Sequence, residues 1–168
     1  GLGWVFGSYE VSTVAFAAQA GHAQSSGTVL AVWAAASGIA GIWFGARHLR
    51  LSLPAQAALS TGLLCLGLIP AMLAPSVPWL IAVTILSGAT IAPALIITFS
   101  LAERIVAPTA LTEGLTWVAS GISLGFSTGV AAAGLAVDHL GTTWSFGLCV
   151  VGAGSTSALA CARLGVLR

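Results

Sequence analysis

Apolar residues run through this chain in six long blocks, at roughly 1–20, 27–46, 53–73, 78–100, 112–137 and 142–163. Each approaches the ~20 predominantly apolar residues that an α-helix needs to cross a bilayer. The breaks between blocks are short and carry turn chemistry. Gly21, His22, Gln24, Ser25 and Ser26 make the first. Arg47, His48, Arg50 and Ser52 make the second, with Pro54 placed to open the next helix. Pro75, Ser76 and Pro78 make the third; Glu103, Arg104, Pro108, Thr109 and Glu113 the fourth; Asp138, His139, Gly141 and Thr142 the fifth. The pattern predicts an all-α integral membrane bundle of six transmembrane helices, each antiparallel to its sequence neighbours.

Composition sharpens this. Of 168 residues, 58% are hydrophobic and 5% are charged, against about a quarter charged in a soluble domain. Five arginines and four acids, with no lysine, cannot coat a water-facing surface. Lipid tolerates such a surface. A net charge of +1 gives no basic patch, which argues against nucleic-acid binding. The chain opens at Gly1 directly in an apolar block, with no charged leader, as a segment of a longer protein would. Cys65, Cys149 and Cys161 fall inside apolar runs and read as small buried hydrophobes. Their spacing fits neither a metal site nor a disulfide framework. No cofactor is implied.

Charge placement orients the bundle. Arg47 and Arg50 lie in the second break, Arg104 in the fourth, and Arg163 and Arg168 at the end of the chain. With six alternating helices all five share one side, which the positive-inside rule assigns to the cytoplasm. Both ends are then cytoplasmic, and the expected location is the cell (inner) membrane. Trp4, Trp43 and Trp117 near one end, and Trp79 and Trp144 near the other, match an aromatic belt. Trp33 sits deeper, as a residue that lines an internal surface or one that packs or faces lipid. Small residues recur at helical spacing: Gly38, Gly41 and Gly45 in the second block, Gly121, Gly125, Gly129 and Ala133 in the fifth. Such stripes let helices approach closely in lipid.

Four stretches together resemble the C-terminal half of a major facilitator superfamily transporter. Gly7-Ser8-Tyr9-Glu10-Val11 through Phe16-Ala17 is similar to that family's seventh helix. Gly38 through Gly45-Ala46-Arg47 is similar to its eighth helix and loop motif. Glu103-Arg104 to Glu113-Gly114 resembles the loop before the eleventh helix, and Gly121 to Gly134 with Asp138-His139-Leu140-Gly141 resembles that helix and its outer turn. The family's loop motif usually carries an acid near its arginine; Arg47-His48-Leu49-Arg50 has none. The resemblance implies one half of a twelve-helix fold, built from two inverted three-helix repeats. It implies an N-terminal six-helix half before Gly1 as partner, and transport of a small molecule by alternating access. Proton-coupled export of drugs or sugars is the activity of many relatives with this look. The stretches also imply a gating role for Gly45, Arg47, Arg50, Glu103, Arg104 and Glu113.

An ionisable residue within a spanning helix costs at least about 2.5 kcal/mol on insertion scales, so Glu10 is a functional candidate. It either takes part in the path or is solvated near a water-filled entrance. Ser8, Tyr9 and Thr13 flank it and could hydrogen-bond a substrate or the carboxyl; Trp33 completes the path candidates. Asp138 and His139 read as a solvated helix end. Ser120, Ser123, Ser127 and Thr128 are expected to bond back to their own helix carbonyls. No nucleophile–base pair, phosphate loop or paired-carboxylate site occurs, which argues against an enzyme. The alternative to a transporter is a non-transporting six-helix scaffold or anchoring subunit.

Overall fold

The computed structural model describes residues 1–47 and 51–164. His48, Arg50 and Arg168 lie outside the described residues, as do the side chains of Arg163 and Leu164. The described chain is all helical: α1 (Leu2–Gln19), α2 (Ser25–Gly45), α3 (Leu53–Met72), α4 (Val77–Ile105), α5 (Leu111–Leu140) and α6 (Thr142–Leu164), with a single 3₁₀ turn at Pro108–Ala110. Five of the six, all but α1, are long and apolar enough to cross a membrane, the mark of a multi-pass membrane protein. Large apolar side chains stand out from them without cover. Ile39, Ile42, Ile105, Trp117 and Leu159 are each about 70% exposed or more, a surface that suits lipid rather than water.

The first predicted span is not among these five helices. The helix forms, but Ser8, Tyr9, Glu10, Ser12, Thr13 and Gln19 leave it too polar to count with the others. The physical reason is burial. α1 is packed by α5, α6, α2 and α4, and nine of its residues are buried, Ser8, Tyr9, Ser12 and Thr13 among them. Those polar groups meet protein and not lipid.

Two further boundaries move. Glu103 and Arg104 were expected in a loop, yet they form the last turn of α4, and Glu113 sits in the first turn of α5. The sequence Leu101-Ala102-Glu103-Arg104-Ile105 carries no helix breaker, so the helix runs on until the extended backbone at Val106 and the turn at Pro108. Asp138 and His139 likewise belong to α5, which ends only at Gly141, with φ of +90°. α4 and α5 have 29 and 30 residues. At 1.5 Å per residue that is about 45 Å, well beyond a hydrocarbon core of about 30 Å.

Pairwise contacts fix the helix directions. Gly3 and Gly7 of α1 face Ile122 and Phe126 of α5, so these two run parallel. Gly88 of α4 meets Trp33 and Ala36 of α2, and Gly41 meets Ala92, so these also run parallel. α1 and α6 are antiparallel: Trp4 donates to the Leu148 carbonyl (3.1 Å), while Ser12 meets Ser145. α3 is antiparallel to both α4 and α6: Gly67 lies on Ser87, Trp79 donates to the Pro70 carbonyl (3.3 Å), Gly62 faces Ser157, and Gly147 faces Met72. The core lies where α1, α3, α4 and α6 meet, around Tyr9, Leu64, Leu68, Leu80, Ile91 and Phe146. α2 and α5 flank it. Only Val29 and Trp33 of α2, and Gly129, Ala133 and Ala136 of α5, are buried.

Candidate functional site

Glycines set the geometry around α1. A Cβ at Gly3 or Gly7 would overlap the carbonyl oxygens of Ile122 and Phe126, and one at Gly129 the carbonyl oxygen of Trp4. A Cβ at Gly125 would lie 3.0 Å from the Trp4 amide nitrogen. The two backbones are therefore in direct contact, with no side chain between them. Of the predicted packing glycines, Gly41, Gly125 and Gly129 stand against another helix, whereas Gly38 and Gly121 face open space within this chain.

The five predicted path residues do not form one cluster, because successive residues of a helix point about 100° apart. Ser8 donates to the Trp4 carbonyl (2.6 Å) and is fully buried. Ser12 donates to the Ser8 carbonyl (2.6 Å) and lies 2.6 Å from the Ser145 hydroxyl, which also reaches the Ala133 carbonyl (3.2 Å). The Tyr9 hydroxyl pairs with that of Thr84, and its ring stacks on Trp33 at 4.6 Å between centroids. Trp33 also takes Phe6 edge-on at 5.1 Å. Thr13 Oγ1 and Trp33 Nε1 are buried without a hydrogen-bond partner. Ser8, Tyr9, Thr13 and Trp33 thus belong to the interior of the bundle.

Glu10 alone points outward. It shares an exposed flank with Val14 and Ala18, on the side of α1 between its contacts with α5 and those with α2. Beside it, α5 carries Glu113, Thr116, Ser120, Ser123 and Ser127, all exposed and spaced three or four apart. That spacing makes a single stripe. Since Phe126 and Val130 pack on Gly7, the helical turn sets Ser123 and Ser127 on the flank of α5 nearest Glu10. The stripe was legible in the spacing of these five residues, but Glu113 was read as a loop residue and so was not joined to it. Of the four residues expected to bond back to their own helix, Ser123 donates to the Ala119 carbonyl (3.1 Å), Ser127 to Ser123 (3.0 Å) and Thr128 to Leu124 (2.8 Å), while Ser120 makes no such bond; Thr116 adds one to the Thr112 carbonyl (2.8 Å). Each hydroxyl then keeps free lone pairs as acceptors.

Apart from Arg50, which lies outside the described residues, the predicted gating residues gather at one end of the bundle. Gly45 closes α2, and Arg47 just beyond it lies over the Trp43 ring, 4.2 Å from its centroid. Glu103 and Arg104 are exposed on the last turn of α4. Glu113 opens onto a groove with Thr109, Thr112, Thr116, Trp117 and Ser120. Gly3, Thr84 and Ser145 went unrecognised in the sequence, and Gly7 entered only through the stretch similar to a seventh helix, not as a packing residue. The Gly3–Gly7 spacing is the same small-residue signal found in α2 and α5; Thr84 and Ser145 leave no local signal. Among the described residues, no three His, Cys, Asp or Glu side chains gather as a metal site would need.

No family model matches the chain, and neither the curated proteins nor the solved structures give a match.

Proposed function

We propose that this chain is one six-helix half of a secondary transporter of the major facilitator type, moving a small molecule by alternating access with proton-coupled export. The reading rests on one observation above all. A carboxyl and a hydroxyl stripe share an exposed face of a bundle whose large exposed side chains elsewhere along the helices are mostly apolar. Lipid is a poor neighbour for that face, since an ionised carboxyl in hydrocarbon costs several kcal/mol. Water and a second set of helices are better ones. In this reading the Glu10 carboxyl takes up and releases the coupling proton, and the α5 hydroxyls receive the donors of a passing substrate. The groups at Arg47, Glu103, Arg104 and Glu113 act at the inward gate.

Helix pairing supports the same reading. Exchanging each helix with the one three places on returns the main pairings with their senses. α1 lies parallel to α5 as α4 does to α2, α1 is antiparallel to α6 as α4 is to α3, and α3 pairs with α6. An inverted three-helix repeat would give this arrangement.

The test is flux in proteoliposomes of the full-length protein under an imposed pH gradient, with small organic cations and sugars as probes. Glu10→Gln is uncharged and nearly isosteric at an exposed position, so it is expected to leave folding intact and to abolish gradient-driven flux. Flux and pH dependence equal to wild type at matched protein would sink the coupling role.

A further inference from the structure

Away from the Glu10 face, α2, α3 and α4 enclose a groove of about 630 Å³. Neither α1 nor α5 contributes to it. Its walls include Ile39, Ala40, Phe44, Leu63, Ala89 and Pro93, and no acid or base lines it. Three polar side chains reach it, and each already has a partner within the protein. Gln56 donates to the Leu51 carbonyl (2.7 Å), Ser60 to Ala57 (3.2 Å) and Thr90 to Ser87 (2.7 Å). The groove therefore asks for an apolar occupant. Its mouth does not. Trp43 forms part of the wall, and Arg47 is held over that indole by a cation–π contact. A fixed cation thus stands at the end of α2 beside an apolar slot that runs into the membrane.

We propose that this groove holds an acyl chain of an acidic phospholipid whose phosphate lies against Arg47. The apolar walls match a chain that the bilayer supplies at this depth, and the guanidinium matches an anionic headgroup. The site needs only that the bundle sits in a bilayer, and does not depend on transport. Trp43 has two tasks: its ring walls the slot and its face fixes the cation.

The experiment is native mass spectrometry of the full-length protein in detergent with equal amounts of phosphatidylglycerol and phosphatidylcholine of matched chains. Wild type is expected to retain phosphatidylglycerol over phosphatidylcholine by about fivefold, the effect of one basic residue near an anionic surface. R47Q is expected to bring the ratio close to one, and R47K to keep it. A40F, which fills the slot, is expected to release both lipids. Arg47 is exposed, so R47Q carries the test even if A40F does not assemble. Equal retention of the two lipids by wild type, or an undiminished preference in R47Q, would overturn the site. Unchanged retention by a folded A40F would show a headgroup patch with no seated chain, and would overturn it too.

Discussion

At the scale of single residues, the polar groups of α1 divide by where their side chains point. Glu10 opens outward; Ser8, Tyr9, Ser12 and Thr13 are consumed by the interior. Tyr9 is the clearest case. It is fully buried, stacks on Trp33 and pairs its hydroxyl with Thr84 across to α4. Tyr9→Phe keeps the stack and removes only the hydroxyl. Hydrogen bonds within membrane bundles average about 0.6 kcal/mol and reach about 1.7, so a loss in that range is expected. Thr84→Val should cost little more once Tyr9→Phe is present. The check is a double-mutant cycle of unfolding in mixed micelles; additive losses would mean the pair carries no coupling.

At the scale of elements, close backbone approach governs where helices sit. Gly7→Ala and Gly129→Ala push a methyl into a neighbouring carbonyl, whereas Gly38→Ala and Gly121→Ala add one into open space. Overpacking costs about 1–3 kcal/mol, while Gly to Ala in a free helix position gains up to about 1 kcal/mol. Opposite signs are therefore expected in thermal unfolding of the detergent-solubilised protein. Equal effects at all four positions would remove the α1–α5 seam from the account. These elements also show what the sequence could and could not disclose. Existence and approximate span of all six helices followed from block length, because apolar runs near 20 residues admit few other structures. Their ends did not: charged residues marked a break near 103 and near 138, but charge does not stop a helix, and α4 and α5 ran on to Ile105 and Leu140. The three-four spacing of small residues did not say which glycines meet a partner, since that depends on crossing points set by the whole bundle.

At the scale of the whole molecule, five apolar helices and the more polar, largely buried α1 form a bundle in which Glu10 and the α5 hydroxyl stripe share an open face. The proposed orientation, with both ends cytoplasmic, rests on the positions of the arginines in the sequence. Single cysteines at Gln24 and Ser76, in a background lacking Cys65, Cys149 and Cys161, are expected to react with an impermeant thiol reagent from outside intact cells, and one at His48 is not. Labelling at His48 from outside would invert the bundle. In the proposed transporter the open face borders a water-filled path rather than lipid. This is tested most directly by the same chemistry on α5 in the full-length protein. Cysteines at Ser120, Ser123 and Ser127 sample the stripe, and cysteines at Leu124 and Leu135 sample the exposed apolar flank of the same helix. A membrane-impermeant, water-borne reagent is expected to modify all three serine positions in membranes opened to both sides, and to spare both leucine positions. Protection of the serine positions equal to that of the leucines would place the stripe in lipid or against a dry partner, and would contradict a transport path along this face.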